Sequence, residues 1–191
     1  MNFKTISPTC PRCSSLKTYD IIPGIREDDQ LARSEESLIQ MSETSLGNAD
    51  YQCRDCGHRW KKYTGQKPYD TIQRIYADAG GYPGPFHSAF IDLKGLMAES
   101  SSRENPNSSP AAEFRRLKQE EAAWFREELY ASDFMNWAEE YMLPFALDGT
   151  HWTIRIEYDT YCEIKSGHIH TPPGWERFCM AVSSLSGQAF Y

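Results

Sequence analysis

The chain has 191 residues, of which 40% are apolar and 13% aromatic, and its formal net charge is −7 at pH 7. This length suffices for one medium domain or two small ones, and the composition is that of a globular protein. No run of about 18 apolar residues is present, which excludes a membrane-spanning helix. Residues 1–8 also lack the apolar stretch of a signal peptide, so we expect a cytoplasmic protein with reduced thiols.

Two Cys-x-x-Cys pairs are the first chemical motif along the chain. Cys10 and Cys13 form one pair, and Cys53 and Cys56 form the other. The two-residue spacing lets both sulfurs of a pair face one cation, and four thiolates make the tetrahedral shell that structural Zn²⁺ prefers. Gly57 stands where such a knuckle needs a residue that tolerates positive φ. The pattern predicts one structural zinc, with redox-active or incidental thiols as the alternative.

Residues 9–65 are typical of a zinc ribbon, in which two β-hairpins each end in a cysteine knuckle. A strand is expected at Leu16–Ile22, after the first knuckle, and shorter strands flank the second. Residues 26–48 are polar and acidic, and they form a longer connection than ribbons usually have. We interpret them as an insertion that is partly helical over Gln30–Met41 or mobile. A first domain is therefore expected at residues 1–66.

The stretch Tyr51-Gln52-Cys53-Arg54-Asp55-Cys56-Gly57-His58-Arg59-Trp60 resembles the second knuckle of zinc ribbons in transcription machinery. It is similar to the transcription elongation factor S family and to small RNA polymerase subunits. In that elongation-factor family an acidic dipeptide before the second knuckle enters the polymerase active centre. The corresponding stretch here, Ser42-Glu43-Thr44-Ser45, has one carboxylate, so the resemblance implies the metal ligands only.

A basic and aromatic segment surrounds the second knuckle. Cations there can meet phosphates while an aromatic ring stacks on a base, although Trp60 is expected to fill the core of the ribbon instead. His58 is expected to be a surface residue rather than a ligand. The candidate contacts to nucleic acid or a partner protein are Arg54, Arg59, Lys61, Lys62, Tyr63 and Lys67.

Residues 67–191 form the predicted second domain, which is acidic and therefore repels phosphate backbones. The pattern around its Gly-Pro loop and its Asp-Gly-Thr-His-Trp segment resembles small uncharacterised bacterial domains, which implies no activity. Apolar periodicity predicts its elements in the following order. They are a strand at 71–77, a turn-rich loop at 80–85, a hairpin at 88–94 and 96–100, a polar loop at 100–110, helices at 111–130 and 132–141, a hairpin at 151–158 and 161–166, and a final helix at 171–185.

Other reactive side chains of this domain allow two further interpretations. Cys162 and Cys179, with His168 and His170, could form a second metal site or a Cys–His nucleophile pair. Packing is the simpler explanation, because a free cysteine behaves as a small hydrophobe. The carboxylates near residues 139–140 and 157–163 are more typical of a solvated face than of a catalytic pair.

These observations predict an α+β protein with an N-terminal four-cysteine zinc ribbon and a C-terminal domain of antiparallel hairpins and about three helices. The favoured function is a non-enzymatic binding protein that docks on nucleic acid or a nucleic-acid-processing machine. One alternative is an inhibitor from a mobile element, whose acidic domain binds a host protein. Another is an enzyme with an unfamiliar site lined by His151, His168 and His170. The oligomeric state is left open.

Overall fold

The computed structural model describes residues 8–23, 39–42, 49–142 and 148–191. The chain divides into two compact units, residues 1–63 and residues 64–191. We describe each unit by itself. The boundary predicted from the sequence, after residue 66, lies three residues later.

The first unit contains one four-stranded sheet. Its strands are β1 (Thr18–Pro23), β2 (Ile39–Ser42), β3 (Tyr51–Cys53) and β4 (Arg59–Trp60), in the spatial order β2-β1-β3-β4. Strand β1 pairs in parallel with β2 and antiparallel with β3, and β3 forms a hairpin with β4 across the second knuckle. The strand expected after the first knuckle is confirmed as β1.

Strand β2 corrects the helix predicted over Gln30–Met41. Residues 39–42 are extended, and their backbone pairs with β1 over Asp20 to Pro23. The hydrogen bonds of this pairing replace those that a helix would supply. Strand pairing, rather than the local helical pattern, therefore determines the conformation of residues 39–42. The rest of the predicted helix, residues 30–38, lies outside the described residues, as does most of the insertion.

The second unit is built on one seven-stranded sheet. Its strand pairs are all antiparallel except that of β11 with β9. The spatial order is β8-β7-β6-β5-β10-β11-β9. The strands are β5 (Arg74–Gly80), β6 (Phe86–Asp92), β7 (Met97–Arg103), β8 (Ala111–Arg116), β9 (Glu140–Met142), β10 (His151–Glu157) and β11 (Cys162–His168).

Helix α2 (Trp175–Ser186) packs on β6, β7 and β8, and α1 (Gln119–Ala131) packs against α2. We call the face of the sheet that α2 covers the helix face. Alternate strand residues such as Ile75, Ile91 and Ile154 are fully buried there. Aromatic rings fill the space between the layers, and the rings of Phe134 and Phe178 stack at 5.3 Å. The opposite side of the sheet, which we call the open face, carries the intervening residues.

The helix predicted at 111–130 is wrong in its first third. Residues 111–116 form β8, which pairs with β7 along its whole length, and α1 begins only at Gln119. The Lys118 N–H donates to the Glu121 carboxylate at 2.8 Å, which caps the start of the helix. Phe114 fits the helical spacing by coincidence, since its side chain is 57% exposed on the edge strand.

The helix predicted at 132–141 is also wrong, so the described part of the unit has two α-helices rather than about three. Asp133 adopts a left-handed conformation with φ of 55°, which ends the helical path. A 3₁₀ turn at Phe134–Asn136 and the short strand β9 follow. The strand predicted at 71–77 starts later, at Arg74, after a 3₁₀ turn at Lys67–Thr71.

The two predicted hairpins and the last helix are confirmed. Strands β6 and β7 turn at residues 93–96, and β10 and β11 turn at residues 158–161. The polar loop predicted at 100–110 is shorter, because β7 continues to Arg103. Trp152, Ile154 and Ile156 share the buried face of β10, as their alternation predicts.

Candidate metal centre and cationic surface

The four cysteines of the first unit converge on one point. The Sγ atoms of Cys10 and Cys56 are 3.7 Å apart, and those of Cys13 and Cys53 are 3.6 Å apart. All four sulfurs lie within 4.8 Å of one another. Among the residues that the structure describes, this is the one group of three or more His, Cys, Asp or Glu side chains placed to hold a metal ion.

The two knuckles have the same backbone design. In the first, Cys10 N–H donates to Ser15 O and Ser14 N–H donates to Cys10 O. In the second, Cys53 N–H donates to His58 O and Gly57 N–H donates to Cys53 O. Each knuckle therefore closes by equivalent hydrogen bonds, and these bonds turn both sulfurs of a pair inward.

The fourth residue after the first cysteine of each pair has positive φ. Gly57 has φ of +71°, as its position predicted, and Ser14 has φ of 58°. A non-glycine residue is strained in this region, so Ser14 marks the less relaxed of the two knuckles. The sequence could have indicated the positive φ of Ser14, because Ser14 follows Cys10 by four residues, as Gly57 follows Cys53.

The donor set fits Zn²⁺. Tetrahedral coordination with Zn–S bonds of about 2.3 Å implies sulfur–sulfur separations of about 3.8 Å, close to the two shortest separations here. Burial raises the pKa of the Cys10 and Cys13 thiols. Burial acts in the same direction on Cys53, but the backbone N–H groups of Cys56 and Asp55 outweigh it and lower the pKa of that thiol to about 7. The geometry thus supports a metal site, and the chemistry of its four sulfurs favours zinc.

A polar link and a small aromatic cluster hold the two knuckles together. Ser15 donates from its hydroxyl to Asp55 at 2.7 Å, and the Lys17 ammonium lies 3.2 Å from the same carboxylate. Trp60 is buried with Cys10 and Cys53. Its ring stacks with those of Tyr51 and His58, at 5.6 and 5.7 Å. Trp60 is therefore a core residue, as expected, and is not available to stack on a base.

The cationic residues near the second knuckle are exposed. Arg54 lies in the knuckle turn with its guanidinium 5.6 Å from the Tyr19 ring, and Arg59 donates to Gln52 at 3.0 Å. Lys61 lies 5.7 Å from the ring of half-buried Tyr63, and Lys62 follows it. Lys67 belongs to the second unit, so the structure does not group it with the other five candidate residues.

The structure brings together two of the three candidate histidines of the second unit. The rings of His151 and His168 stack in parallel at 3.9 Å across β10 and β11. His168 is buried and His151 is exposed. Ile169 has φ of 66°, which ends the strand. His170 therefore lies beyond the end of β11 and does not share a strand face with His168.

The remaining candidates of the second unit lie apart from these rings. Cys162 is exposed at the start of β11, and Cys179 is buried in α2, where burial raises its pKa to about 12. Asp159 accepts a hydrogen bond from Gln73, and Glu163 accepts one from the Tyr158 hydroxyl. These carboxylates are held by structural contacts.

A row of side chains on the open face was not predicted from the sequence. Register places Phe114, Glu99, Phe90, Tyr76, Arg155 and Ile164 side by side across six strands. Tyr76 stacks on Phe90 at 4.7 Å, and the Arg155 guanidinium lies 3.9 Å from the Tyr76 ring. A groove of about 500 Å³ runs over the part of this row nearest β8. The sequence signal for this row was the alternation of side chains between the two faces of strands β5 to β8. The helix predicted at 111–130 concealed this signal, because it assigned the residues of β8 to a helix.

Comparison with known proteins adds no family. No protein-family model matches the chain, and no curated protein matches it. Among the described residues, no helix has both the length and the apolar character needed to cross a membrane.

Proposed function

We propose that the chain is a non-enzymatic zinc-ribbon binding protein that docks on nucleic acid, or on a nucleic-acid-processing machine, and regulates it. The observation that carries this proposal is the closed four-thiol cluster with exposed cations beside its second knuckle. Four thiolates complete the tetrahedral shell of zinc, so no position remains for a catalytic water or a substrate. The metal therefore serves the fold, and the surface serves binding.

The charge of the ribbon around the metal supports an anionic partner. The described part of the first unit has six Lys and Arg residues and three Asp and Glu residues, whereas the acidic residues at 27–29, 35–36 and 43 belong to the long connection. One of the three described carboxylates, Asp55, is already paired with Lys17. Phosphates attract such a surface through counterion release, without regard to base sequence.

Tyr63 is the aromatic residue that best suits contact with a base. Trp60 is committed to the core, whereas Tyr63 is half-buried beside the exposed Lys61. An aromatic ring flanked by cations is a common platform for single-stranded nucleic acid. The likeness of the second knuckle to transcription ribbons supports the same class of partner.

Binding of a fluorescent single-stranded oligonucleotide tests this proposal directly. The full chain with zinc is titrated at several salt concentrations, and Lys61→Ala with Lys62→Ala is compared with the wild type. We expect the variant to bind the oligonucleotide more weakly than the wild type. The slope of log affinity against log salt concentration should be smaller for the variant, by about one unit for each phosphate that it no longer neutralises. The charge-matched control is Lys94→Ala with Lys118→Ala in the second unit, which should leave binding unchanged.

A pull-down with and without nuclease separates the two modes of docking. Nucleic-acid enzymes that remain bound after nuclease treatment identify a protein surface as the partner. Recovery that disappears with nuclease identifies nucleic acid itself. If the wild type binds no oligonucleotide and recovers no such enzyme, the proposal is wrong.

A further inference from the structure

Strand β8 forms an open edge of the large sheet. It has six residues, all of them exposed or half-exposed, and its register with β7 continues without a bulge. Within the described part of the chain, no strand pairs with its outer side. Proteins usually protect such an edge with proline, a bulge or a covering segment, because its free backbone groups are a template for another strand.

The hydrogen-bond phase of β8 identifies the outward backbone groups. Leu117 N–H donates to Leu96 O at 2.9 Å, so Leu117 and Leu96 form a hydrogen-bonded pair. The phase alternates along an antiparallel ladder, which makes Arg115 and Glu113 face β7 as well. The N–H and C=O groups of Ala112, Phe114 and Arg116 therefore point away from the sheet.

The side chains of β8 alternate between the two faces of the sheet. Phe114 lies on the open face and is 57% exposed. Glu113 and Arg115 lie on the helix face, where Arg115 donates to Glu121 and to the Ser184 and Leu185 carbonyls. Glu113 has no hydrogen-bond or ion-pair partner among the residues that the structure describes.

We propose that a second copy of this chain pairs antiparallel with β8, with Phe114 on the two-fold axis. This register places Phe114 opposite Phe114 of the partner subunit. It also places Ala112 opposite Arg116 of the partner subunit. Every outward N–H and C=O of these three residues then has a partner, and the sheet continues across both copies. This dimer goes beyond the proposed function and does not depend on it.

Charge complementarity selects this register over its neighbours. With Phe114 on the axis, Glu113 stands opposite Arg115 of the partner subunit in a non-hydrogen-bonded pair, where Cα atoms approach to about 4.5 Å. Moving the axis by one residue places Glu113 opposite its own copy, or Arg115 opposite its own copy. Directly opposed like charges destabilise a strand pair, so both neighbouring registers are disfavoured.

The groove on the open face fits the same partner. It is lined by Phe114, Ala112 and Glu99, among other residues. Arg116 of the partner subunit stands beside Ala112, whose small side chain leaves room for a long one. The guanidinium can then extend over Ala112 towards the exposed carboxylate of Glu99, an attraction of the kind that cross-strand ion pairs supply.

Sedimentation of the full zinc-loaded chain over a range of concentrations tests the dimer. We expect the wild type to form dimers as concentration rises, and Phe114→Pro and Phe114→Lys to remain monomeric. Proline at 114 removes an outward N–H without breaking a bond to β7, and lysine opposes two charges on the axis. The control is Ile164→Lys, because Ile164 is 55% exposed on the same face but lies on β11. It should dimerise like the wild type.

Cross-linking tests the register itself. Phe114→Cys places two thiols on the axis at a Cα separation of about 5.5 Å, within the range of a disulfide. We expect rapid formation of a covalent dimer under mild oxidation, and background levels for Ile164→Cys. A wild type that stays monomeric at its highest soluble concentration overturns the proposal. A dimer that persists in both Phe114 variants also overturns it.

Discussion

The two units of this chain are stabilised in different ways. Among the residues that the structure describes, the first unit has a buried apolar cluster of Cys10, Cys53 and Trp60, with Tyr51 packed against it. The second unit buries aromatic and aliphatic side chains between a seven-stranded sheet and two helices. Because the described cluster of the first unit is so small, we expect that unit to depend on metal binding for its stability, whereas packing stabilises the second unit.

Substitution of one of the four clustered cysteines should produce the largest difference in stability between the two units. We expect Cys53→Ser to unfold the ribbon, because structural zinc supplies an apparent free energy of about 10–16 kcal/mol that is coupled to folding. The second unit should keep its melting transition. Zinc content and hydrogen exchange of both units provide the measurement. Cys162→Ser is the control, since that thiol is exposed in the second unit, and unchanged zinc stoichiometry in Cys53→Ser would contradict the assignment.

A cavity in the core of the second unit should destabilise that unit and leave the first unit unaffected. Phe178 is fully buried and contacts the rings of Phe134, Trp137 and Trp175. We expect Phe178→Ala to lower the free energy of unfolding of this unit by about 3–5 kcal/mol, while zinc content stays unchanged. Met180→Ala on the same helix is the control, because Met180 is 63% exposed. A loss of zinc in Phe178→Ala would show that the units do not fold independently.

A smaller loss of stability is expected from a substitution in the charged turn between β6 and β7. The Asp92 carboxylate accepts hydrogen bonds from Lys94 N–H, Gly95 N–H and the Arg74 guanidinium. Burial raises the pKa of Asp92, but Gly95 N–H and Arg74 outweigh it, and the net shift is downward. We expect Asp92→Asn to destabilise the second unit by about 1–3 kcal/mol at neutral pH.

The pH dependence of this difference has a definite sign. A carboxyl with a lowered folded pKa contributes stability above its ordinary pKa of 3.8 and loses it as the pH falls through the folded value. The wild type should therefore approach Asp92→Asn in stability below about pH 4. Urea unfolding over this pH range measures it, with exposed Asp70→Asn as the control. A difference that grows on acidification would contradict the interpretation.

The candidate site was predictable because its signal is chemical and local. The spacing within each cysteine pair predicted the knuckles, and Gly57 marked the positive φ that closes the second one. The strand after the first knuckle and the hairpins of the second unit followed from apolar alternation. The pairing of β1 with β3, which brings the two knuckles together, required the tertiary structure.

The largest error shows the limit of local periodicity. Residues 111–116 have Ala, Glu, Phe and Arg, which favour a helix or are neutral, and Phe114 fits the spacing of the helix that follows. Pairing with β7 supplies a ladder of hydrogen bonds and overrides this preference. The error removed a strand from the predicted sheet, and with it the open edge and the groove.

The sequence alone therefore determined the four candidate metal ligands, the division of charge between the two parts and the strands with clear alternation, because each is a property of neighbouring residues. The tertiary structure decided which face of the large sheet stays open and which strand ends it. Those outcomes depend on pairings between residues far apart in the chain, where register sets the face to which each side chain points.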